Sequence, residues 1–321
     1  MPVLDMPLKE LKHYKGISPK PRDFEDYWDS ALARMKALGT SFTLSPSTFK
    51  APGIEAFDMW FTGVDNAKIY VKYMRPARQE KPAPALLQFH GYSMNSGDWL
   101  DKYAYASAGF HIFAMDCRGQ GGKSEDAGGI KGTTLNGHII RGIDDDPKNL
   151  LFKKIFLDTA QLASIVMDLD AVDETRIGVF GGSQGGALTI ACAALVPEIK
   201  KAAPVYPFLS DYRRVWEMDM AERAYAELKD YFRRFDPNHM REDEIFMKLG
   251  YIDIQNLAHR IKADVLWACG LMDDVCPPST QFAAYNKLKC SREMVLFHDF
   301  GHEWLPGFGD QTFEFMSDLL D

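Results

Sequence analysis

A serine becomes a useful nucleophile where a turn holds its hydroxyl clear and a base can take its proton. Ser183 lies in a stretch that could supply the turn: GVFGGSQGGAL, Gly178 to Leu188, the densest glycine cluster of the chain. Spacing decides between a nucleophile and a phosphate cradle. A dinucleotide fingerprint needs glycines at relative positions one, three and six, but Phe180 and Ser183 fill places that must be glycine. A P-loop ends in Gly-Lys-Ser/Thr, and here Gly186 is followed by Ala187 and Leu188. What fits is G-x-S-x-G, as Gly181, Ser183 and Gly185. It falls between an apolar strand, RIGVF, and an apolar helix, QGGALTIACAAL, the context of a nucleophile elbow. In so tight a turn a side chain at 181 or 185 would meet the neighbouring backbone.

The base must be a histidine just past a strand end, because ligands of an open α/β sheet lie outside the carboxyl ends of its strands. Of eight histidines, His302 meets this condition, following EMVLFHDFG. His298 reads as part of that strand, as a packed or surface residue. His90 also ends a strand, but its HGY turn has another use, given below. A carboxylate is needed to fix the histidine tautomer. The strand ADVLWACG runs into LMDDVCPP, which puts Asp273 and Asp274 at the same rim. Asp273 is preferred because it comes first after the turn, and Asp274 is left to hydrogen-bond within the loop. The order Ser183, Asp273, His302 is that of α/β-hydrolases and not of chymotrypsin or subtilisin. Two N–H donors must then receive the oxyanion. One is assigned to Gln184, after the serine, and the other to Tyr92, in the turn after PALLQFHG.

These residues need a sheet to hold them. From residue 83 short apolar runs alternate with helical stretches: PALLQFHG, DWLDKYAYASAG, FHIFAMDCRG, KKIFLDTAQLASIVMDL, RIGVFGGS, KAAPVYPFL, ADVLWACG and EMVLFHDFG. That rhythm specifies an α/β fold, a mostly parallel central sheet with helices on both faces. FDMWFTG and AKIYVKYMRP precede it as two antiparallel strands. Residues 1–50 read as an N-terminal extension, with a helix carrying Phe24, Trp28, Leu32 and Met35 that ends near Gly39. Residues 211–262 break the rhythm with charged, aromatic-rich helices, read as an insertion near the ligand-binding edge. The whole chain, 1–321, is read as a single domain.

RGQG (Arg118 to Gly121), GGSQGG (Gly181 to Gly186), GLMDD with CPPSTQFAAYN, and GHEW (Gly301 to Trp304) together resemble the acetyl xylan esterase and cephalosporin C deacetylase family, carbohydrate esterase family 7. The match spans the chain, extension included. It implies the α/β-hydrolase fold, a triad at Ser183, Asp273 and His302, and oxyanion donors at Tyr92 and Gln184. It also implies deacetylation of small esters, short acetylated xylo-oligosaccharides and cephalosporin C among them, by intracellular hexamers. Arg118 and Gln120 are read as braces near the elbow, with no chemical step. Tyr92 and Trp304 read as aromatic walls of a small acyl pocket, beside the oxyanion and base positions, and Pro277 and Pro278 as stiffening the loop after Asp273.

Composition excludes other classes. With 37 basic against 45 acidic residues the net charge is −8, contrary to a nucleic-acid surface. No apolar run reaches a membrane span of about 20 residues, and MPVLDMPLKELKHYKG lacks the apolar core of a signal peptide. The five cysteines form no CxxC pair. They read as reduced thiols of a cytoplasmic protein, with no metal site and no cofactor. Two competitors share the scaffold. A peptidase of the prolyl oligopeptidase type would carry a propeller for which 321 residues leave no room, and a non-catalytic binding protein would be expected to lack a triad member.

Overall fold

The computed structural model describes residues 4–321. Nine strands form one sheet: β1 Phe42–Pro46, β2 Ile54–Thr62, β3 Lys68–Pro76, β4 Ala83–Phe89, β5 His111–Met115, β6 Val172–Gly182, β7 Lys201–Val205, β8 Asp264–Gly270 and β9 Arg292–Phe297. Their spatial order is β1-β2-β3-β5-β4-β6-β7-β8-β9. The pairs from β1 to β5 along this order are antiparallel, and those from β5 to β9 are parallel. The central strands are apolar along their length because helices cover both faces; all five residues of β5 are buried.

The helices are α1 Leu8–Leu11, α2 Phe24–Lys36, α3 Leu100–Ala108, α4 Leu151–Met167, α5 Gln184–Leu195, α6 Tyr212–Glu217, α7 Ala226–Phe235, α8 Glu242–Leu249, α9 Ile254–Leu257, α10 Pro278–Tyr285 and α11 Phe308–Ser317. Every residue of α5 is buried, which is why its sequence is apolar all round rather than on one stripe. Helix α2 packs by Trp28, whose ring stacks on Phe156 of α4 at 5.9 Å and whose Nε1–H donates to the Tyr251 carbonyl at 3.0 Å. The extension and the insertion share one apolar cluster with the sheet.

Register aligns the strand ends. Phe89 is opposite Gly181, Gly182 opposite Val205, Val205 opposite Ala268, and Gly270 opposite Phe297. The residues that follow these ends therefore emerge on one rim. Three local readings change. Strand β1 falls inside the N-terminal extension; its exposed residues pair only with β2 at the sheet edge and leave no alternating pattern. Strand β7 stops at Val205, short of Leu209, because Tyr206 takes φ 31 and Pro207 has no N–H for a ladder. Strand β9 stops at Phe297, so His298 lies in the exposed turn beyond it rather than inside the strand.

Candidate active site

Ser183 lies at the junction of β6 and α5 with φ 57 and ψ −119. This backbone is strained for a residue with a side chain, and such strain is characteristic of functional sites. The flanking glycines have steric reasons. A Cβ on Gly181 would come within 2.5 Å of the Phe89 carbonyl oxygen, and one on Gly185 within 2.1 Å of the same atom. The turn can pass over the end of β4 only if both are glycine.

His302 Nε2 lies 3.0 Å from Ser183 Oγ, and His302 Nδ1 lies 2.9 Å from Asp273 Oδ2. Asp273 is fully buried, and its Oδ1 accepts the N–H groups of Val275 at 2.9 Å and Cys276 at 2.8 Å. Those bonds fix the carboxylate at Oδ1, while Oδ2 faces the histidine and takes a longer contact of 3.5 Å from Gln281 Nε2. Asp274 points elsewhere: it pairs with Arg223 of the insertion at 2.9 Å and is half exposed. The structure thus brings Ser183, His302 and Asp273 into one hydrogen-bonded chain and leaves Asp274 outside it.

Tyr92, in the turn after β4, and Gln184, the first residue of α5, flank the serine. Among the described residues neither main-chain N–H donates a hydrogen bond, and that of Gln184 begins α5, where the helix dipole favours negative charge. Gln120 ties the turn after β4 to the start of α5. Its Oε1 accepts the Ser93 N–H at 2.9 Å, and its amide exchanges hydrogen bonds with the Gln184 amide at 2.7 and 3.0 Å. Arg118 turns away and forms a buried pair with Asp158 of α4, at 2.6 and 2.5 Å, while donating to the Val64 carbonyl at 2.9 Å. His90 also has a bracing position: Nδ1–H donates to the Gly91 carbonyl at 2.8 Å, and Nε2 accepts the Cys117 N–H at 2.9 Å. Burial holds its pKa below the usual histidine value, which suits a neutral ring that accepts at Nε2.

A cavity of about 620 Å³ opens over the serine, lined by residues including Tyr92, Met94, Leu135, Tyr206, Arg223, Val275 and His302. Trp304, read from the sequence as a wall, does not line it, and the loop prolines Pro277 and Pro278 lie outside it too. Trp304 is 76% exposed, and Pro278 is taken up in the first turn of α10. The second aromatic residue of the wall is instead Tyr206, whose ring sits 4.5 Å from that of His302. Sequence reasoning missed it because it assigned Tyr206 to a strand. It also missed Glu227 of α7, a buried carboxylate that accepts the Tyr92 hydroxyl and the N–H groups of Ile139 and Ile140 at 2.8 and 3.0 Å. The signal was present: an acid on the face of α7 that buries Leu228, Tyr231 and Phe232.

Asp273, Cys276 and His302 place donor atoms within 4.8 Å of one another. The set is poorly suited to a metal. Asp273 is engaged at both oxygens, and burial beside Asp273 pushes the Cys276 thiol well above its usual pKa, away from the thiolate a metal needs.

A mostly parallel sheet with a strained serine after one strand and its histidine and aspartate after two others defines an α/β-hydrolase. The acetyl xylan esterase (AXE1) family matches residues 1–319, and the chain belongs to that family, one of carboxylic ester hydrolases. It is 56% identical to acetyl xylan esterase 1 from Thermoanaerobacterium sp. JW/SL YS485, with TM-score 0.95 over 99% of this chain and 100% of that one. It is 37% identical to the acetyl xylan esterase from Paenibacillus sp. R4, with TM-score 0.91 over 98% and 99%. A curated relative is the acetyl esterase Axe7A of Xylanibacter ruminicola, 25% identical over 88% of this chain; the match spans 63% of that longer protein. The Pyrococcus horikoshii acylaminoacyl peptidase, 19% identical with TM-score 0.56, shares the fold alone.

Proposed function

We propose that the protein is a serine esterase that removes acetyl groups from small esters, with acetylated xylo-oligosaccharides and cephalosporin C as the substrate class. The observation that carries this reading is the chain from Ser183 Oγ through His302 to buried Asp273, at 3.0 and 2.9 Å. Ser183 attacks the acetyl carbonyl while His302 Nε2 takes its proton, and Asp273 stabilises the imidazolium. The N–H groups of Tyr92 and Gln184 receive the oxyanion. His302 then protonates the departing alkoxide, leaving an acetyl-serine. A water, deprotonated by the same nitrogen, releases acetate and restores the serine.

The test is labelling by a fluorophosphonate, followed by mapping of the modified residue. Label on Ser183, with turnover falling about a million-fold in Ser183→Ala, supports the reading. A Ser183→Ala enzyme that keeps a tenth of wild-type activity overturns it.

The reading extends to assembly as a closed homo-oligomer, a hexamer, in the cytoplasm. Exposed Met94, Leu100, Ile130 and Leu135, each 62–68% accessible, give support as apolar surface available to cover. Five free cysteines fit a reducing compartment. Among the described residues no helix is long and apolar enough to cross a membrane. Light scattering that returns a monomer mass at micromolar concentration overturns the assembly.

A further inference from the structure

We infer that the protein carries an anion site, distinct from the ester cavity, built for a small dianion of the phosphate class. A cavity of about 340 Å³ lies between α2, the turn at Val64–Asn66 and the start of α4, and its wall holds Arg34, Lys148, Lys153 and Lys154 against one acid, Asp65. None of its residues lines the cavity over Ser183. The chain as a whole carries −8, so this concentration of cations runs against the general charge.

Lys154 is paired with Asp65 at 2.7 Å, and Lys148 with Asp146 at 3.0 Å. Arg34 and Lys153 have no carboxylate partner among the described residues. For Lys153 this is unusual, because the residue is only 5% exposed and a buried charge is normally paired. Its Nζ has a long contact of 3.4 Å to the Lys148 carbonyl and lies 4.8 Å from the Tyr27 ring centre. Burial, with Arg34 nearby, pulls its pKa down to about 8, and a bound counter-ion would offset that pull.

Local backbone adds to the positive field. Helix α4 runs for 17 residues, its first turn holds no acid, and Leu150 supplies no capping side chain. Lysines at positions 153 and 154 stand where the helix dipole favours acids. Two cations without an ion-pair partner favour an occupant of charge two, with Asp65 and Asp146 acting on Lys153 only from a distance. Arg34 offers a planar fork and Lys153 a point charge, the combination that suits tetrahedral oxyanions. The volume admits a small phosphate or a compact phosphorylated metabolite.

Inorganic phosphate is the probe. Calorimetric titration at neutral pH and constant ionic strength, with sodium chloride as the balancing salt, should show saturable binding of one phosphate per chain. Arg34→Gln should weaken it about tenfold or more, as loss of one charged contact does. Lys153→Met should do the same. Lys36→Gln, on the same helix but outside the cavity wall, should leave it unchanged. Arg34 is exposed, so its variant tests the site even if Lys153→Met fails to fold. Absence of saturable binding, or equal binding in Arg34→Gln and wild type, overturns the inference. Ester hydrolysis plays no part in this measurement, so its failure and that of the esterase reading are separate.

Discussion

Glu227, on a helix of the insertion, holds the hydroxyl of Tyr92, in the loop that ends β4. The same carboxylate takes two N–H groups from the segment at Ile139 and Ile140. Three parts of the chain that are far apart in sequence therefore meet at one buried acid. On the proposed mechanism the Tyr92 N–H is an oxyanion donor, so Glu227 acts on the reaction by positioning. Glu227→Gln should lower kcat about ten- to a hundredfold, the scale set by displacements near 1 Å, with a smaller change in KM. Tyr92→Phe should cost a similar amount, and the double variant little more than either alone, because both break one link. Steady-state kinetics on an acetyl ester, with circular dichroism to confirm folding, checks this. A Glu227→Gln enzyme within twofold of wild-type kcat removes Glu227 from the positioning role.

The site and the sheet differ in how much of them was legible. Ser183, Asp273 and His302 could be found because each follows an apolar strand, and register then forces strand ends to a common rim. Glu227 and Tyr206 could not be assigned so easily. Glu227 depends on the path of an insertion with no strand rhythm, and Tyr206 on a strand that stops early at a positive φ. Gln120 was recognised as a brace from its motif, but its reciprocal bond with Gln184 depends on how the loop after β5 meets the start of α5. Strand β1 left no trace because an exposed edge strand needs no buried alternate face.

The two adjacent aspartates should separate by kinetics. Asp273→Asn leaves the geometry in place but supports the wrong histidine tautomer, so turnover should fall on the order of 10⁴. Asp274→Asn removes only a half-exposed pair with Arg223, a class of contact that contributes about 0–1 kcal/mol. Its turnover should stay within about fivefold of wild type. The reverse ranking would assign the acid to Asp274.

Stability should fall with acid through His111. This ring is fully buried on β5, with Nδ1 2.7 Å from the Tyr73 hydroxyl and Nε2 2.5 Å from Gln79 Oε1. Burial, reinforced by Arg75, depresses its pKa to about 4. The folded state thus holds neutral histidine, while the unfolded chain takes a proton near pH 6.5. Between those values the unfolded state binds more protons, so the stabilisation is complete above pH 6.5 and lost as pH falls toward 4. The full span is roughly 3 kcal/mol at most. Urea unfolding at pH 7, 5.5 and 4.5 should show this loss in the wild type and a flatter profile in His111→Gln. Parallel profiles would remove His111 as the source.

Acyl-chain selectivity tests the walls of the cavity. The ring of Tyr206 lies 4.5 Å from that of His302, Val275 is nearly buried, and Tyr92 is held by Glu227. Tyr206 sits at φ 31 and is followed by Pro207, so the backbone that carries its ring has little freedom to retreat. Extra methylenes beside such walls cost about 1–3 kcal/mol, or roughly five- to 150-fold in rate. Nitrophenyl acetate should exceed the butyrate modestly in kcat/KM and the octanoate by a wide margin. Tyr206→Ala should narrow the acetate-to-butyrate ratio by removing the ring, while the Ser183 label from a fluorophosphonate persists. Efficiency that rises with chain length in the wild type would overturn the small-acyl pocket. A ratio unmoved by Tyr206→Ala would place its wall elsewhere.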